Sequence, residues 1–300
     1  MSEVLRIINL SKIYGNQKIL DNINITIEKG DIYGLIGKNG AGKTTIMKII
    51  SGASSFDKGT INLFNSENLN EGRQKLGCII ENPAIYPNMT AYDNIKVYNK
   101  LLGIKDNKNI IELLNKVGLD PFLKKKSKKF SLGMKQRLAI AIALVGNPEF
   151  LILDEPINGL DPIGIREVRK LLLELKENGV TIFLSSHILG EMEKVATKFA
   201  FIDDGKIIKE LNCEQIDCLC KKYIKIIAKN CHKAMEILKD KFSDYTIALN
   251  NDQIHIFNYN EDIGNIYNEL SSKSIEVISI SIETESLEDC YLTFLEEENV

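Results

Sequence analysis

Gly37-Lys38-Asn39-Gly40-Ala41-Gly42-Lys43-Thr44-Thr45 lies between the apolar run Ile32-Tyr33-Gly34-Leu35-Ile36 and the segment Ile46-Met47-Lys48-Ile49-Ile50. The first flank reads as a buried strand and the second as a helix. Glycines at 37, 40 and 42 let the backbone curl until several N–H groups converge, and the helix that follows aims its positive end at the same point. Lys43 then reaches the β- and γ-phosphates of a nucleotide, and the Thr44 hydroxyl can ligate Mg²⁺. A chance match to the bare pattern arises in about one chain in a hundred of this length, and the flanking strand and helix make it rarer. The run is read as a site for a nucleoside triphosphate.

Further along, Phe150-Leu151-Ile152-Leu153-Asp154-Glu155-Pro156 is an apolar run closed by carboxylates. A fully buried parallel strand has this form, and in an open α/β sheet ligands gather at its C-terminal end. Asp154 there can hold the hydration shell of Mg²⁺, and Glu155 can orient or deprotonate an attacking water. Surface acids at the start of a loop are the bland alternative, a minority reading beside a phosphate loop. Thr181-Ile182-Phe183-Leu184-Ser185-Ser186-His187 repeats the layout. A lone histidine is usually structural, yet at the tip of such a strand His187 is placed to sense a γ-phosphate.

Upstream, turn residues at Gly15-Asn16, Asp21-Asn22 and Lys29-Gly30-Asp31 divide short apolar stretches, which predicts an antiparallel strand meander. Tyr14 falls in it; by pattern alone it is a half-exposed strand aromatic, with base stacking the alternative. Strands are expected at residues 58–64 and 76–80, the latter ending at Glu81-Asn82-Pro83. Residues 90–123 have helical periodicity with a break at Gly118-Leu119-Asp120-Pro121. The charge run Lys124-Lys125-Lys126-Ser127-Lys128-Lys129 reads as a solvated loop ahead of a contact with anionic lipid. Phe130 to Arg137 then opens a helix over 138–145, with Ser131 where an N-cap belongs. On bare physics this is a capped helix, although its N-terminus can also receive an anion.

The chain has 300 residues, enough for one large or two ordinary domains, and a formal net charge of −3. That balance speaks against a protein drawn to nucleic acid by bulk charge. No apolar run is long enough for a membrane-spanning helix, and Met1-Ser2-Glu3-Val4-Leu5-Arg6 lacks the layout of a secretory signal. The expectation is a cytosolic chain. Its six cysteines, at 78, 213, 218, 220, 231 and 290, then read as small buried hydrophobes. A metal site among Cys213, Cys218, Cys220, Cys231 and His232 is disfavoured because no CxxC pair is present.

Asp203-Asp204-Gly205-Lys206 is a hairpin signal that closes the nucleotide domain, and beyond about Leu211 the pattern changes. Strands at 223–228, 245–249, 253–257 and 275–282 and helices at 231–241 and 261–271 give βαβ twice over, as in a small ferredoxin-like sandwich. Ser286-Leu287-Glu288-Asp289 opens a last helix through Leu292 and Phe294. This segment carries no ligand signature. A regulatory or dimer-stabilising module and a passive cap both remain open.

In this order and spacing the pieces resemble the ATP-binding subunit of an ABC transporter, over about the first 210 residues. The resemblance implies an α/β P-loop NTPase (ABC ATPase) with an antiparallel β subdomain and a helical subdomain near residues 82–145. The ATP-binding domain would cover 1–211 and an accessory α+β domain 212–300. By this resemblance Gly37 to Thr45 looks like the Walker A loop, Leu151 to Asp154 the Walker B strand and Glu155 the catalytic glutamate. Ser131-Leu132-Gly133-Met134 looks like the signature motif and Asn158-Gly159-Leu160-Asp161 the D-loop. His187 resembles the switch histidine and Tyr14 the adenine-stacking aromatic, which reverses the readings of Tyr14 and Ser131 from pattern alone.

Two departures are informative. Leu132 and Met134 replace a second glycine and a glutamine of the signature, while the phosphate-facing Ser131 and Gly133 are kept. Glu81 stands where the family presents a glutamine. It keeps an oxygen for Mg²⁺ but adds a negative charge beside a triphosphate, which the metal or a basic group on a membrane partner would have to offset. Glu81-Asn82-Pro83, Tyr86-Pro87-Asn88-Met89-Thr90 and the signature together look like the bacitracin-resistance and lantibiotic-immunity subgroup.

That subgroup implies polytopic membrane permease subunits as partners, a peptide antibiotic as transported substrate and a place on the cytoplasmic face of the membrane. ATP and Mg²⁺ would be shared between two copies in a head-to-tail homodimer, with Thr44, Glu81 and Asp154 toward the metal. The rival reading is a soluble ABC ATPase acting on ribosomes or DNA. Such proteins commonly carry two cassettes or a long inserted arm, which this chain lacks. A regulatory module without turnover is disfavoured by the presence of Glu155 and His187.

Overall fold

The computed structural model describes residues 2–81, 84–219, 222–260 and 262–291. The chain divides into two compact units, Met1–Cys213 and Glu214–Val300.

In the first unit β1 (Glu3–Tyr14) and β2 (Gln17–Glu28) form an antiparallel hairpin leading to β3 (Ile32–Ile36) and α1 (Lys43–Ser51). β4 (Lys58–Leu63), the short α2 (Leu69–Arg73) and β5 (Leu76–Ile79) follow. The helical part comprises α3 (Ala91–Leu101), α4 (Lys108–Lys116) and α5 (Leu132–Ala143). The chain returns through β6 (Phe150–Leu153), α6 (Pro162–Glu177), β7 (Thr181–Ser186), α7 (Leu189–Met192), β8 (Lys198–Asp203) and β9 (Lys206–Asn212).

Strands pair in the order β5-β6-β7-β3-β8-β9, parallel throughout except for the β8–β9 hairpin. β3, β6 and β7 are buried along their whole length, as strands covered on both faces must be. A second, antiparallel sheet runs β2-β1-β4. α1 presents Ile46, Met47, Ile49 and Ile50, all fully buried, to one apolar cluster shared with Ile23, Ile25 and Ile27 of β2 and with Phe150, Ile152 and Phe183 of the large sheet. These four make the apolar face of an amphipathic helix, and at about 2 kcal/mol per buried isoleucine this packing anchors the end of the phosphate loop.

Two local expectations are corrected. Asp21-Asn22 is not a turn: β2 continues through it, with Asn22 at φ +56 where the pairing with β1 shifts register. Asn22 N–H donates to Ser11 Oγ at 3.1 Å and Asn9 N–H to Asn24 Oδ1 at 3.0 Å, so side chains take up bonds that the irregular ladder leaves open. The helical stretch from residue 90 also breaks earlier than Gly118, at residues 102–107, with Gly103 at φ +72. The buried Asn99 donates to Asn109 Oδ1 at 2.9 Å and ties the end of α3 to the start of α4. Beyond the sequence reading, α6 starts on Asp161, whose Oδ1 accepts from Gly164 N–H at 2.9 Å, with Pro162 in its first turn.

In the second unit α8 (Cys213–Leu219), begun at the boundary, precedes β10 (Lys222–Ala228), α9 (Cys231–Lys241), β11 (Thr246–Asn250), β12 (Gln253–Phe257), α10 (Ile263–Ser272) and β13 (Val277–Thr284). Its strands form an antiparallel sheet in the order β11-β12-β10-β13. Ile224, Ile226, Ile254 and Ile256 share a separate core with Leu238 of α9 and Leu270 of α10. A further helix begins at residues 287–291, where Ser286 Oγ accepts from Asp289 N–H at 3.2 Å. Its expected course through Leu292 and Phe294 lies outside the described residues, as do Asn82 and Pro83. Among the described residues no helix is long and apolar enough to cross a membrane.

Gly77 in β5 leaves no room for a side chain: an added Cβ would lie 2.2 Å from the Ala143 carbonyl oxygen and 3.0 Å from Pro148 Cγ. Gly77→Ala is expected to destabilise the first unit by about 1–3 kcal/mol, read from its urea unfolding midpoint. An unchanged midpoint would contradict the tight seat of β5 against the end of α5.

Candidate active site

The strand order sets the ends of β6, β7 and β3 side by side, so the acids after β6, the histidine after β7 and the loop after β3 converge. The loop turns on Gly40 and Gly42, at φ +86 and +107, backbone that glycine adopts freely. Gly37 is needed for a different reason, since a Cβ there would meet the Ile202 carbonyl oxygen at 2.3 Å. Behind the loop, Gly205 N–H donates to the Ala41 carbonyl at 3.2 Å, and the Gly205 carbonyl accepts from Asp21 N–H at 2.8 Å. At the front, α1 begins on Gly42 without a side-chain cap, so its N-terminal dipole is not answered from within the helix.

Lys43 is 5% exposed and folds back over the loop, donating to the carbonyls of Gly37 at 2.6 Å and Lys38 at 3.1 Å. Its ammonium also lies 3.4 Å from Glu155 Oε1. Thr44 Oγ1 donates to Asp154 Oδ2 at 2.7 Å. Ser185, buried at the end of β7, donates to Asp154 Oδ1 at 2.6 Å and accepts from Glu155 N–H at 2.9 Å. Glu155 has φ +49, a left-handed conformation unusual outside glycine, and its Oε2 shares a hydrogen bond of 2.8 Å with His187 Nδ1. Its other oxygen, Oε1, is buried and makes no hydrogen bond.

These residues fit a triphosphate and its metal. The uncapped helix end and the lysine answer phosphate charge, the hydroxyl and carboxylate of Thr44 and Asp154 are the hard oxygen donors that Mg²⁺ prefers, and Glu155 Oε1 is an unfilled acceptor. The remaining candidates lie around this cluster. Tyr14, 49% exposed at the end of β1, shares a hydrogen bond with Ser54 Oγ at 2.9 Å, and Lys12 Nζ stands 4.9 Å from its ring centre. Ser131 caps α5, its Oγ accepting from Met134 N–H at 3.2 Å. Among the described residues neither Ser131 nor Gly133 bonds to the loop 37–45 of the same chain. Lys38, Asn39 and Gly40 are exposed on the loop, while Ala41 and Thr45 turn inward or partly so.

Glu81 also has a counter-charge within this chain: Glu81 Oε1 pairs with Lys48 Nζ at 2.5 Å, and that bond holds the lysine pKa above its ordinary value. Glu81, Asp154 and Glu155 line one cleft of about 650 Å³ that also reaches Leu132 and Gln136 of α5. The sequence reading missed Ser185 and Lys48; a serine closing a buried strand beside the acids was the available signal for the first. The lysine run at 124–129 is exposed, as a solvated loop requires, and is anchored by the buried Ser127, which donates to the Tyr86 carbonyl at 2.8 Å. In the second unit Cys231 and His232 come together with Asp252, their donor atoms within 4.8 Å on the surface, the thiol donating to Asp252 Oδ1 at 3.6 Å.

Comparison with known proteins agrees with this geometry. The family model described as ABC transporter matches residues 20–158, and one described as an AAA domain matches 126–193. The bacitracin transport ATP-binding protein BcrA of Bacillus licheniformis is 38% identical over 98% of this chain and 98% of its own. The lantibiotic transport ATP-binding protein SrtF of Streptococcus pyogenes is 52% identical over 69% of this chain and 90% of its own. Among solved structures, an ATP-binding subunit of an ABC transporter superposes with a TM-score of 0.64 at 28% identity, covering 72% of this chain and 92% of that one. The dimeric cassette MJ0796 bound to ADP and Pi gives 0.62 at 25% identity, covering 70% and 98%. The chain belongs to the ATP-binding proteins of ABC transporters, and its enzymatic class is ATPase.

Ser185→Ala would leave Asp154 Oδ1 and the Glu155 amide without their buried partner. A loss of about 1–3 kcal/mol is expected, measured by urea unfolding of the full chain, together with slower phosphate release. Parental stability and turnover would show that these bonds carry no net weight.

Proposed function

We propose that this chain is the motor of an exporter that expels peptide antibiotics of the bacitracin or lantibiotic type through separate polytopic permease subunits. The substrate class is supported by BcrA, a bacitracin transport protein matched along 98% of the chain, and by SrtF. The single observation that carries the hydrolytic reading is the cluster of Glu155 with Lys43 at 3.4 Å and His187 at 2.8 Å. The proposed location is the cytoplasmic face of the membrane, peripheral, with no nucleic acid involved. In this reading the first unit is the ATPase, and the β-α-β-β-α-β unit with strand order β11-β12-β10-β13 is a ferredoxin-like accessory domain.

ATP would lie against residues 37–45 of one copy and Ser131 and Gly133 of a second, head to tail, with Tyr14 stacked on the base. Mg²⁺, when bound, supplies charge neutralisation at the terminal phosphates, and Thr44, Glu81 and Asp154 are the residues that would hold it. Lys43 exchanges Glu155 for phosphate oxygens. Glu155 is then free to direct water at the γ-phosphorus and take its proton as the bond to the ADP oxygen breaks. His187 holds the carboxylate through Nδ1, and with Lys43 it stabilises the charge that develops. Closure of the two copies on ATP and opening after hydrolysis would move the permease.

Glu155→Gln removes the proton acceptor and should lower ATPase turnover about 10²-fold or more while ATP binding persists and a closed dimer accumulates, as read by phosphate release and by size-exclusion chromatography. Undiminished turnover would remove Glu155 from this role. Affinity purification from membranes solubilised in mild detergent should bring down polytopic membrane proteins. Recovery of ribosomes in their place would favour the rival function.

A further inference from the structure

Three carboxylates meet in the cleft beside the phosphate loop. Glu81, Asp154 and Glu155 all line it, and carboxylates so close are tolerated only when cations or hydrogen bonds answer them. Lys128 and Lys135 also line the cleft, but the two lysines that form ion pairs with Glu155 and Glu81 both come from α1. Lys43 at its first turn stands 3.4 Å from Glu155, and Lys48 pairs with Glu81 at 2.5 Å. Thr44, bonded to Asp154, is four residues before Lys48, so the two side chains share one face of the helix, about one 5.4 Å turn apart. The Glu81 carboxylate is thus held a turn behind the Thr44 hydroxyl. Its backbone is fixed as well, at φ +60, a conformation glutamate seldom adopts.

The pair is a poor staple. The Lys48 side chain is 34% exposed and that of Glu81 61%, and exposed pairs of this kind contribute little to stability. An interaction so cheap to break is suited to exchange.

Resting on the nucleotide reading above, we infer that Lys48 is a positioning residue that keeps Glu81 away from the metal position until a metal–nucleotide complex competes for it. Glu81 then trades one cation for another. A family glutamine could not be stored in this way, because it carries no charge to pair with an ammonium. The arrangement sets the Mg²⁺ concentration at which the site closes around nucleotide, and it neutralises Glu81 when nucleotide arrives without metal.

Two effects of opposite sign follow. Lys48→Gln frees Glu81, so the Mg²⁺ concentration giving half-maximal binding of a fluorescent ATP analogue, MANT-ATP, should fall, by up to about five-fold, the factor equivalent to an exposed ion pair. In EDTA the same variant should bind MANT-ATP more weakly, because Glu81 then repels the triphosphate. Lys48→Arg should keep the parental values. In a Glu81→Gln background Lys48→Gln should change neither quantity.

The inference is overturned if Lys48→Gln leaves the half-point at the parental value, or if its shift persists in the Glu81→Gln background. Lys43→Ala separates this from the underlying reading. Undiminished MANT-ATP binding in that variant would overturn the nucleotide site and this inference with it. Lost binding there, with an unmoved Lys48→Gln half-point, would overturn the role of Lys48 alone.

Discussion

Asp154 is 8% exposed, and hydroxyls from two other elements hold it there, Thr44 at 2.7 Å and Ser185 at 2.6 Å. A buried carboxylate left without such partners is expensive enough to unfold a site or to take up a proton. Meeting that requirement fixes the start of α1 against the ends of β6 and β7. The phosphate loop, the Glu155 backbone and the histidine after β7 are then in register with one another. The apolar body of α1, packed into the shared core, keeps the hydroxyl end from drifting.

Much of this was legible in the chain because its signals are local. The apolar runs before Asp154 and before Ser185 announce buried strands, and a glycine-rich turn ahead of a helix announces an anion site. The β-α-β-β-α-β pattern of the second unit could be read for the same reason, since each strand alternates and each helix is bounded by turn residues. What was hidden depends on pairing across distance. Lys48 and Glu81 are far apart in sequence, and no pattern around either one predicts their meeting. The left-handed backbone at Glu81 and Glu155, two residues past the ends of β5 and β6, is not one that glutamate's own preference signals. The break after α3 follows from the buried Asn99 reaching Asn109, and Asp21-Asn22 has turn composition but is absorbed as an irregularity because Ser11 and Asn24 satisfy the backbone there.

The two units separate in chemistry as well as in packing. SrtF matches 69% of the chain whereas BcrA matches 98%, and each unit has a hydrophobic cluster of its own. Lys43, Asp154, Glu155 and His187, the cluster described above, all lie in the first.

The contact behind the phosphate loop has a mechanical meaning. Gly205 is bonded on one side to Ala41 and on the other to Asp21, and a Cβ at that glycine would sit 2.3 Å from the Ile19 carbonyl oxygen. The loop therefore rests on a rigid backstop formed by the turn between β8 and β9 and the adjoining strand β2. It has no slack in which to recoil when an anion enters. Displacement must be taken up on the opposite bank of the cleft, where Glu81 and the first residues of α5 face open space. The room beside the loop thus lies on the side of the helical part of the unit and not on the side of the β8–β9 turn.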